Sequence, residues 1–227
     1  MKKEFFIVSA VILVCFTHIS WTISNRDLKE KKYWAEVRIG NQTWMAENLN
    51  VCTFRNGDTI QEAKTLNEWR SAAKKKIPAW CYFNNDSSNG LKHGKMYNFY
   101  PVNDSRGLAP INWRIPSGED WKQLSNYLGG KLIAGGKMKS TSGWHANGNG
   151  TNSSGFNGYA SGSRELAMIT KNEGFLSLGS ISYWWSSTKD KRTNEVLVFS
   201  VSWNNNKLLP IWDTFSSDGY AVRCIKN

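Results

Sequence analysis

Histidine, carboxylates and catalytic motifs are all scarce in this chain. Only three histidines occur in 227 residues, and one of them, His18, lies in an N-terminal apolar stretch. No serine sits in a nucleophile-elbow motif, and no two carboxylates share a glycosidase-like motif. His145 follows Trp144 and is interpreted as a loop residue. We therefore expect no enzyme activity and assign no catalytic residue.

Cysteine is also sparse, with Cys15, Cys52, Cys81 and Cys224 alone. None of them forms a Cys-x-x-Cys pair or a Cys/His cluster with zinc spacing. A phosphate-binding glycine loop is absent as well. We therefore expect neither a metal nor a cofactor. Three alternative disulfides are possible among Cys52, Cys81 and Cys224. The alternation of Cys224 with Val222 on the last predicted strand favours a buried thiol at Cys224.

Negative charge is in the minority. The chain has 29 basic and 18 acidic residues, a net charge of +11. Such a balance suits an anionic polysaccharide, an anionic lipid or a nucleic acid, but it is equally typical of a solvated basic surface. A nucleic-acid module would cluster its basic residues with aromatics. We expect no nucleic-acid partner, and oligomeric state stays open.

The longest apolar run covers residues 5–16 and is interrupted only by Ser9. A membrane span needs about 20 apolar residues, so this run is short for one. Because Lys2 and Lys3 precede it, residues 1–24 are predicted to be a secretory signal, followed by a polar spacer over residues 25–32. The predicted location is secreted or in the cell envelope. Lipidation at Cys15 or an uncleaved N-terminal anchor are the alternatives, and membrane contact is expected only through this segment.

Two turn and capping signals define the first elements. Gly40 and Asn41 separate two strand-like runs, residues 34–39 and 42–46, and predict a hairpin. Thr65 and Glu68 form a capping box, which predicts a helix over residues 66–75. Pro78 ends this helix, and residues 79–83 are predicted to form a strand.

A second capping box, Ser117 with Asp120, precedes apolar residues at helical spacing. Trp121, Leu124 and Leu128 fall on one face of the predicted helix. A short helical segment is predicted within residues 131–139, ending at its Gly-Gly pair.

Residues 140–162 are dominated by Gly, Asn and Ser and have no period. They predict a long loop, and loops of this length are usually functional or disordered. After it, residues 183–188, 195–203, 207–212 and 220–225 alternate as strands do. Their spacing predicts an antiparallel meander.

The long loop carries the candidate binding site. Sugars are held by aromatic faces and planar polar groups, and the loop is rich in both. Trp184 and Trp185 alternate on one strand, so we expect one of them to be core and the other to face a groove. The candidate ligand-binding residues are Trp144, Asn147, Asn152, Asn157, Tyr159, Arg164 and Trp185. A calcium site is the less favoured alternative, because no carboxylate occurs in the loop before Glu165.

Several motifs in fixed order resemble a known family. They are Val-Arg-Ile-Gly-Asn-Gln-Thr-Trp-Met-Ala-Glu-Asn-Leu-Asn at residues 37–50, the Pro- and aromatic-rich residues 94–121, and the segments 151–156, 183–188 and 219–226. Residues 33–227 resemble the Fibrobacter succinogenes major paralogous domain, a family of secreted bacterial proteins. Residues 158–164 depart from the family's Leu-Pro-Gly-Gly-x-Arg, and Gly90 stands where some members have a cysteine.

The resemblance implies the fold class. It is α+β: a C-type-lectin-like single domain with a small antiparallel sheet, two helices and a long irregular loop. The function of this family is not established. The predicted export signal and the long Asn-, Gly- and aromatic-rich loop, together with the resemblance, predict a secreted or cell-surface binding module for a carbohydrate or another surface ligand. Two alternatives stay open. One is a structural or assembly protein of the cell envelope, and the other is a relative of the formylglycine-generating oxidases that pairs Cys81 with Cys224.

Overall fold

The N-terminal hairpin is the first element of the computed structural model, which describes residues 34–167, 172–213 and 215–227. Strands β1 (Glu36–Ile39) and β2 (Gln42–Met45) pair antiparallel, as predicted. Gly40 makes the turn with φ of +61°, a backbone conformation that glycine adopts without strain. The predicted signal at residues 1–24 and spacer at residues 25–32 lie outside the described residues.

The other elements follow in chain order. The strands are β3 (Gln61–Glu62), β4 (Ala79–Cys81), β5 (Met96–Tyr97), β6 (Trp113–Arg114), β7 (Ser161–Arg164), β8 (Phe175–Leu178), β9 (Ile181–Lys189), β10 (Val196–Ser202), β11 (Leu209–Asp213) and β12 (Ile225–Lys226). The α-helices are α1 (Leu66–Lys75), α2 (Gly90–His93), α3 (Phe99–Val102), α4 (Gly118–Tyr127) and α5 (Ala134–Met138).

The strands form three sheets within the described ranges, in the orders β1-β2-β12-β6, β11-β10-β9-β7-β8 and β3-β4-β5. The α+β class is therefore confirmed, but the expectation of one small antiparallel sheet is wrong. Strands β9, β10 and β11 form an antiparallel meander from the first three of the four strands predicted for it. However, β3 pairs parallel with β4, and β7 pairs parallel with β9, because long connections between these strands permit such crossovers.

Both predicted capping boxes are present. Thr65 caps α1 and Ser117 caps α4, and each helix has 10 residues. The predicted face of α4 is buried, with Trp121 and Leu124 fully enclosed. The Trp121 ring lies 4.8 Å from Trp44 and 5.1 Å from Phe199, centroid to centroid. Trp121 thus anchors the buried face of α4 to an aromatic core.

The prediction for the short helix was wrong in detail. Gly135 and Gly136 lie inside α5 and do not end it. A Cβ atom on Gly135 would clash with the carbonyl oxygen of Lys207. These glycines therefore allow the helix to approach the backbone that precedes β11.

Residues 219–226 join the three sheets. Tyr220 bridges to Tyr97 of β5, and Ala221 bridges in parallel to Trp184 of β9. Ile225 then pairs with both Trp44 and Arg114. The predicted terminal strand over residues 220–225 is thus divided between separate partners, and only β12 is continuous. Cys224 and Val222 are both fully buried, as their alternation predicted.

In the part of the chain that the structure describes, no helix has the length and apolar character needed to span a bilayer.

Candidate functional site

The long loop is pinned to the core by its aromatic residues. The Trp144 side chain is buried, and its indole Nε1 donates to Ser140 Oγ at 3.1 Å and to the Gly158 carbonyl at 3.2 Å. The Phe156 ring is also fully buried, 5.5 Å from the Trp184 ring. Trp144 therefore holds the loop in place and presents no indole face to solvent.

Two further predicted residues lie in the interior. Arg164 is fully buried and donates to the carbonyls of Ala63 at 2.7 Å and Lys64 at 3.0 Å. Trp185 is also fully buried, and its Nε1 donates to the Tyr97 carbonyl at 2.7 Å. Trp184 is equally enclosed, so the expectation that one of these two tryptophans faces a groove is wrong. Sheets and helices cover both faces of β9 at this point, and strand alternation alone cannot reveal that.

The predicted loop asparagines have a backbone role. Asn147, Asn152 and Asn157 have φ of +57°, +48° and +53°, the left-handed region that asparagine tolerates better than most residues. Asn152 Oδ1 also accepts a hydrogen bond from the Asn157 amide at 2.8 Å. Asn147 is exposed on the short 3-10 turn His145–Asn147.

Two of the predicted residues meet at an open cleft. Asn157 and Tyr159 line a depression of about 410 Å³, which we name the loop cleft. The Lys92 ammonium lies 4.9 Å from the centroid of the Tyr159 ring, within cation–π distance. The structure therefore brings together two of the seven predicted residues and adds a cation to them.

The rest of the loop cleft comes from residues that the sequence did not single out. Glu47 and Asn48 follow β2, Leu91 and Lys92 belong to α2, and Arg223 lies in the C-terminal segment. The remaining lining residues are Ala35 and Ala46. A signal was present, because Glu47, Asn48 and Arg223 all fall inside the motifs that carry the family resemblance.

Asn48 and Arg223 form the wall of the cleft that faces the core. Asn48 Oδ1 accepts from Arg223 Nε at 3.0 Å, from Arg223 Nη2 at 2.8 Å and from Trp184 Nε1 at 2.9 Å. Arg223 Nη1 donates to the Met45 and Phe156 carbonyls. Its guanidinium also lies 4.2 Å above the Phe156 ring. This cation is therefore held by neutral oxygens and a ring.

The electrostatics of the cleft follow from that burial. Desolvation lowers the pKa of Arg223 to about 9, which still leaves the guanidinium charged at neutral pH. Among the described residues, Arg223 makes no direct ion pair, and the negative charge of the exposed Glu47 favours the charged form of the guanidinium. With Lys92 on the rim, the lining holds two cations and one anion. A charge in a low-dielectric wall is felt more strongly than one in water, so the cleft favours an anionic group.

The three described cysteines are separate thiols. Cys81 and Cys224 are buried thiols in different parts of the core, and Cys52 is an exposed thiol; none of the three is in a disulfide. Burial raises the pKa of Cys81 to about 11 and that of Cys224 to about 12, so their thiolates are disfavoured. Within the described ranges, no group of three or more His, Cys, Asp or Glu residues is arranged to hold a metal ion.

A comparison with protein families gives one match. The model of the Fibrobacter succinogenes major domain matches residues 37–226, so the chain belongs to that family. No functionally curated protein matches, and no solved structure matches.

Proposed function

We propose that this member of the Fibrobacter succinogenes major domain family is a binding module that takes an acidic saccharide in the loop cleft. The observation that carries the proposal is the meeting of Tyr159, Lys92 and the buried Arg223 in one open depression. A sugar ring can stack on the Tyr159 face, while Glu47 and the Asn157 amide offer hydrogen bonds to hydroxyl groups.

The charge balance supports an acidic sugar over a neutral one. Arg223 and Lys92 outnumber Glu47, and the whole chain carries +11. A carboxylate or sulfate on the saccharide would approach this cleft with favourable long-range attraction.

We propose in addition that the domain has a C-type-lectin-like architecture and acts outside the cytoplasm or on the cell surface. Support for the architecture comes from the mixed α+β composition and the long irregular loop between helices and meander. Support for the location comes from the signal-like composition of residues 1–24. The high pKa values of Cys81 and Cys224 disfavour the alternative in which these thiols form an oxidase centre.

A glycan array that contains both neutral and uronic-acid or sulfated saccharides tests the proposal. We expect wild-type binding to acidic members, lost in Tyr159→Ala and weakened about tenfold in Lys92→Glu. Tyr127→Ala is the matched control, since Tyr127 is 65% exposed and lies outside the loop cleft.

Ionic strength separates specific binding from adhesion of a basic protein to polyanions. Specific binding persists at ~0.3 M salt, where the Debye length is only about 5–6 Å. The proposal is overturned if no saccharide binds, or if Tyr159→Ala and Tyr127→Ala bind equally well.

A further inference from the structure

A second cavity lies between helix α4 and the meander of β9, β10 and β11. We name it the helix pocket; its volume is about 400 Å³, and it shares no lining residue with the loop cleft. This size is in the range of sites for small organic ligands.

The strand register builds its apolar wall. Leu197 pairs with Trp212, and Phe199 pairs with Pro210, across β10 and β11. Residues two apart on a strand, and their direct partners, share one face of a sheet. All four therefore belong to the same face, and all four line the helix pocket. Trp212 remains 49% exposed there, although it is a large aromatic residue.

Helix α4 supplies the polar side. Ser125 is only 7% exposed, and its Oγ has no hydrogen-bond partner among the described residues. A buried hydroxyl without a partner has lost its hydrogen bonds to water without a replacement, so such a group is normally satisfied by a partner. Asn126 and Lys131 join Ser125 in the lining at the C-terminal end of the helix. A ligand with a hydrogen-bonding head group at this end would satisfy Ser125.

The charges that line the helix pocket favour a negatively charged head group on the ligand. Glu119 and Lys122 lie 3.4 Å apart as an exposed ion pair and largely cancel. Lys131 then leaves one unit of positive charge in the lining. The C-terminal end of a helix contributes about −0.5 charge, so the lysine still outweighs it.

From these features we propose that the helix pocket binds a small apolar carboxylate. Its hydrocarbon body packs against Leu197, Phe199 and Trp212. Its carboxylate accepts from the Ser125 hydroxyl and pairs with Lys131. This site is independent of the loop cleft and of the saccharide proposed there.

Isothermal titration calorimetry of the full-length protein with decanoate and with decylammonium tests the pocket. Both probes contain ten carbon atoms in an unbranched chain, and their head groups carry charges of opposite sign. We expect decanoate to bind at least about tenfold more tightly than decylammonium. Lys131→Glu should reverse that preference, and Trp212→Ser should weaken both probes about tenfold through lost apolar contact.

Two control variants test whether the changes in affinity are specific to the pocket lining. Lys74→Glu changes an exposed lysine on α1, away from the pocket lining, and Tyr127→Ser removes an exposed aromatic that does not line it. Neither should alter decanoate affinity by more than about twofold. The proposal is overturned if decanoate gives no binding, if the two probes bind alike, or if Lys131→Glu and Trp212→Ser both leave decanoate affinity unchanged.

Discussion

A single amide oxygen, Asn48 Oδ1, accepts two hydrogen bonds from the buried Arg223 guanidinium, at 3.0 and 2.8 Å. The two residues are 175 positions apart in the sequence. The same oxygen accepts from Trp184, while Asn48 Nδ2 donates to the His93 carbonyl and to Ser161 Oγ. One side chain thus satisfies a buried cation and joins four separate parts of the chain.

Replacing Asn48 by Ala should destabilise the protein strongly. It would leave the Arg223 charge buried without its principal acceptor, which costs about 3–5 kcal/mol in comparable cases. Asn48→Asp keeps the acceptor oxygen and adds a negative charge, so we expect a smaller loss. Urea unfolding monitored by circular dichroism measures both. Asn67→Ala, on the exposed face of α1, is the control and should change the free energy of unfolding by less than about 0.5 kcal/mol. Equal losses for the two Asn48 variants would contradict the role of the Oδ1 acceptor.

The free energy of unfolding should fall as the pH rises from about 4 to 7, because Asp218 loses its proton in this range. Burial, with Asp213 and Glu165 nearby, raises the pKa of Asp218 to about 7. In this window the folded state keeps a proton that the unfolded state has released, so rising pH favours unfolding. Asp218→Asn should remove this contribution, and the variant should therefore exceed wild type in stability at pH 8 but not at pH 4. Urea midpoints across the pH range give the comparison. A constant difference between the two proteins at every pH would contradict the prediction.

His93 should act in the opposite direction. Burial, with Lys92 nearby, lowers the pKa of His93 to about 4. In the unfolded state His93 is protonated below about pH 6.5, whereas in the folded state it stays neutral until about pH 4. Stability is therefore lost as the pH falls from about 6.5 to 4. His93→Gln should flatten that part of the profile. His145→Gln, at an exposed position, is the matched control and should leave the profile unchanged. If both variants retain the wild-type slope, His93 is not the titrating group.

The cysteines should differ sharply in reactivity. Cys52 is exposed, whereas Cys81 and Cys224 are fully buried, with pKa values raised by burial. In native protein we expect an aromatic disulfide reagent to label Cys52 quickly and the two buried thiols only at the rate of unfolding. Mass spectrometry identifies the labelled peptides, and Cys52→Ser removes the fast labelling among the three cysteines that the structure describes. Rapid labelling of Cys81 in folded protein would contradict the buried arrangement.

The cap of α4 should contribute to stability through Ser117. Its hydroxyl accepts from the Asp120 amide at 3.2 Å, while Asp120 Oδ2 accepts from the Ser117 amide at 2.7 Å. Ser117→Ala should cost about 1 kcal/mol, as losses of such caps do. Ser153→Ala, an exposed loop serine, is the control. An effect of Ser117→Ala no larger than that of the control would exclude a stabilising cap.

Sequence rules that involve neighbouring residues predicted the hairpin turn and the helix starts well. The turn at Gly40, both capping boxes and the apolar face of α4 depend on residues within one or two turns of each other. The Gly135–Gly136 pair was misinterpreted as a helix end because the carbonyl that requires it, that of Lys207, is distant in sequence. The number of sheets was missed for the same reason, since sheet partners are set by tertiary packing.

For the candidate site, amino-acid composition predicted the location of the loop but not the burial of its side chains. Composition identified the loop, and two of its predicted residues, Asn157 and Tyr159, do line a cleft. Composition could not show that Trp144, Arg164 and Trp185 are buried, because an aromatic or an arginine suits either a core or a ligand contact. The buried cation of Arg223 was missed because its partners are carbonyls and an amide, which leave no charge pattern in the sequence.

The way residues 219–226 join all three sheets has a kinetic consequence. Strand β2 obtains its partner β12 only after almost the whole domain has been synthesised, and the central Asn48–Arg223 contact spans 175 residues. Folding that depends on such distant contacts pays a large loop-closure entropy before the contacts form, and it is correspondingly slow. Newly made chains would then pass through a period in which β2 and the tryptophan-rich β9 have incomplete partners. During that period they are open to chaperones, to proteases and to pairing with other unfinished copies.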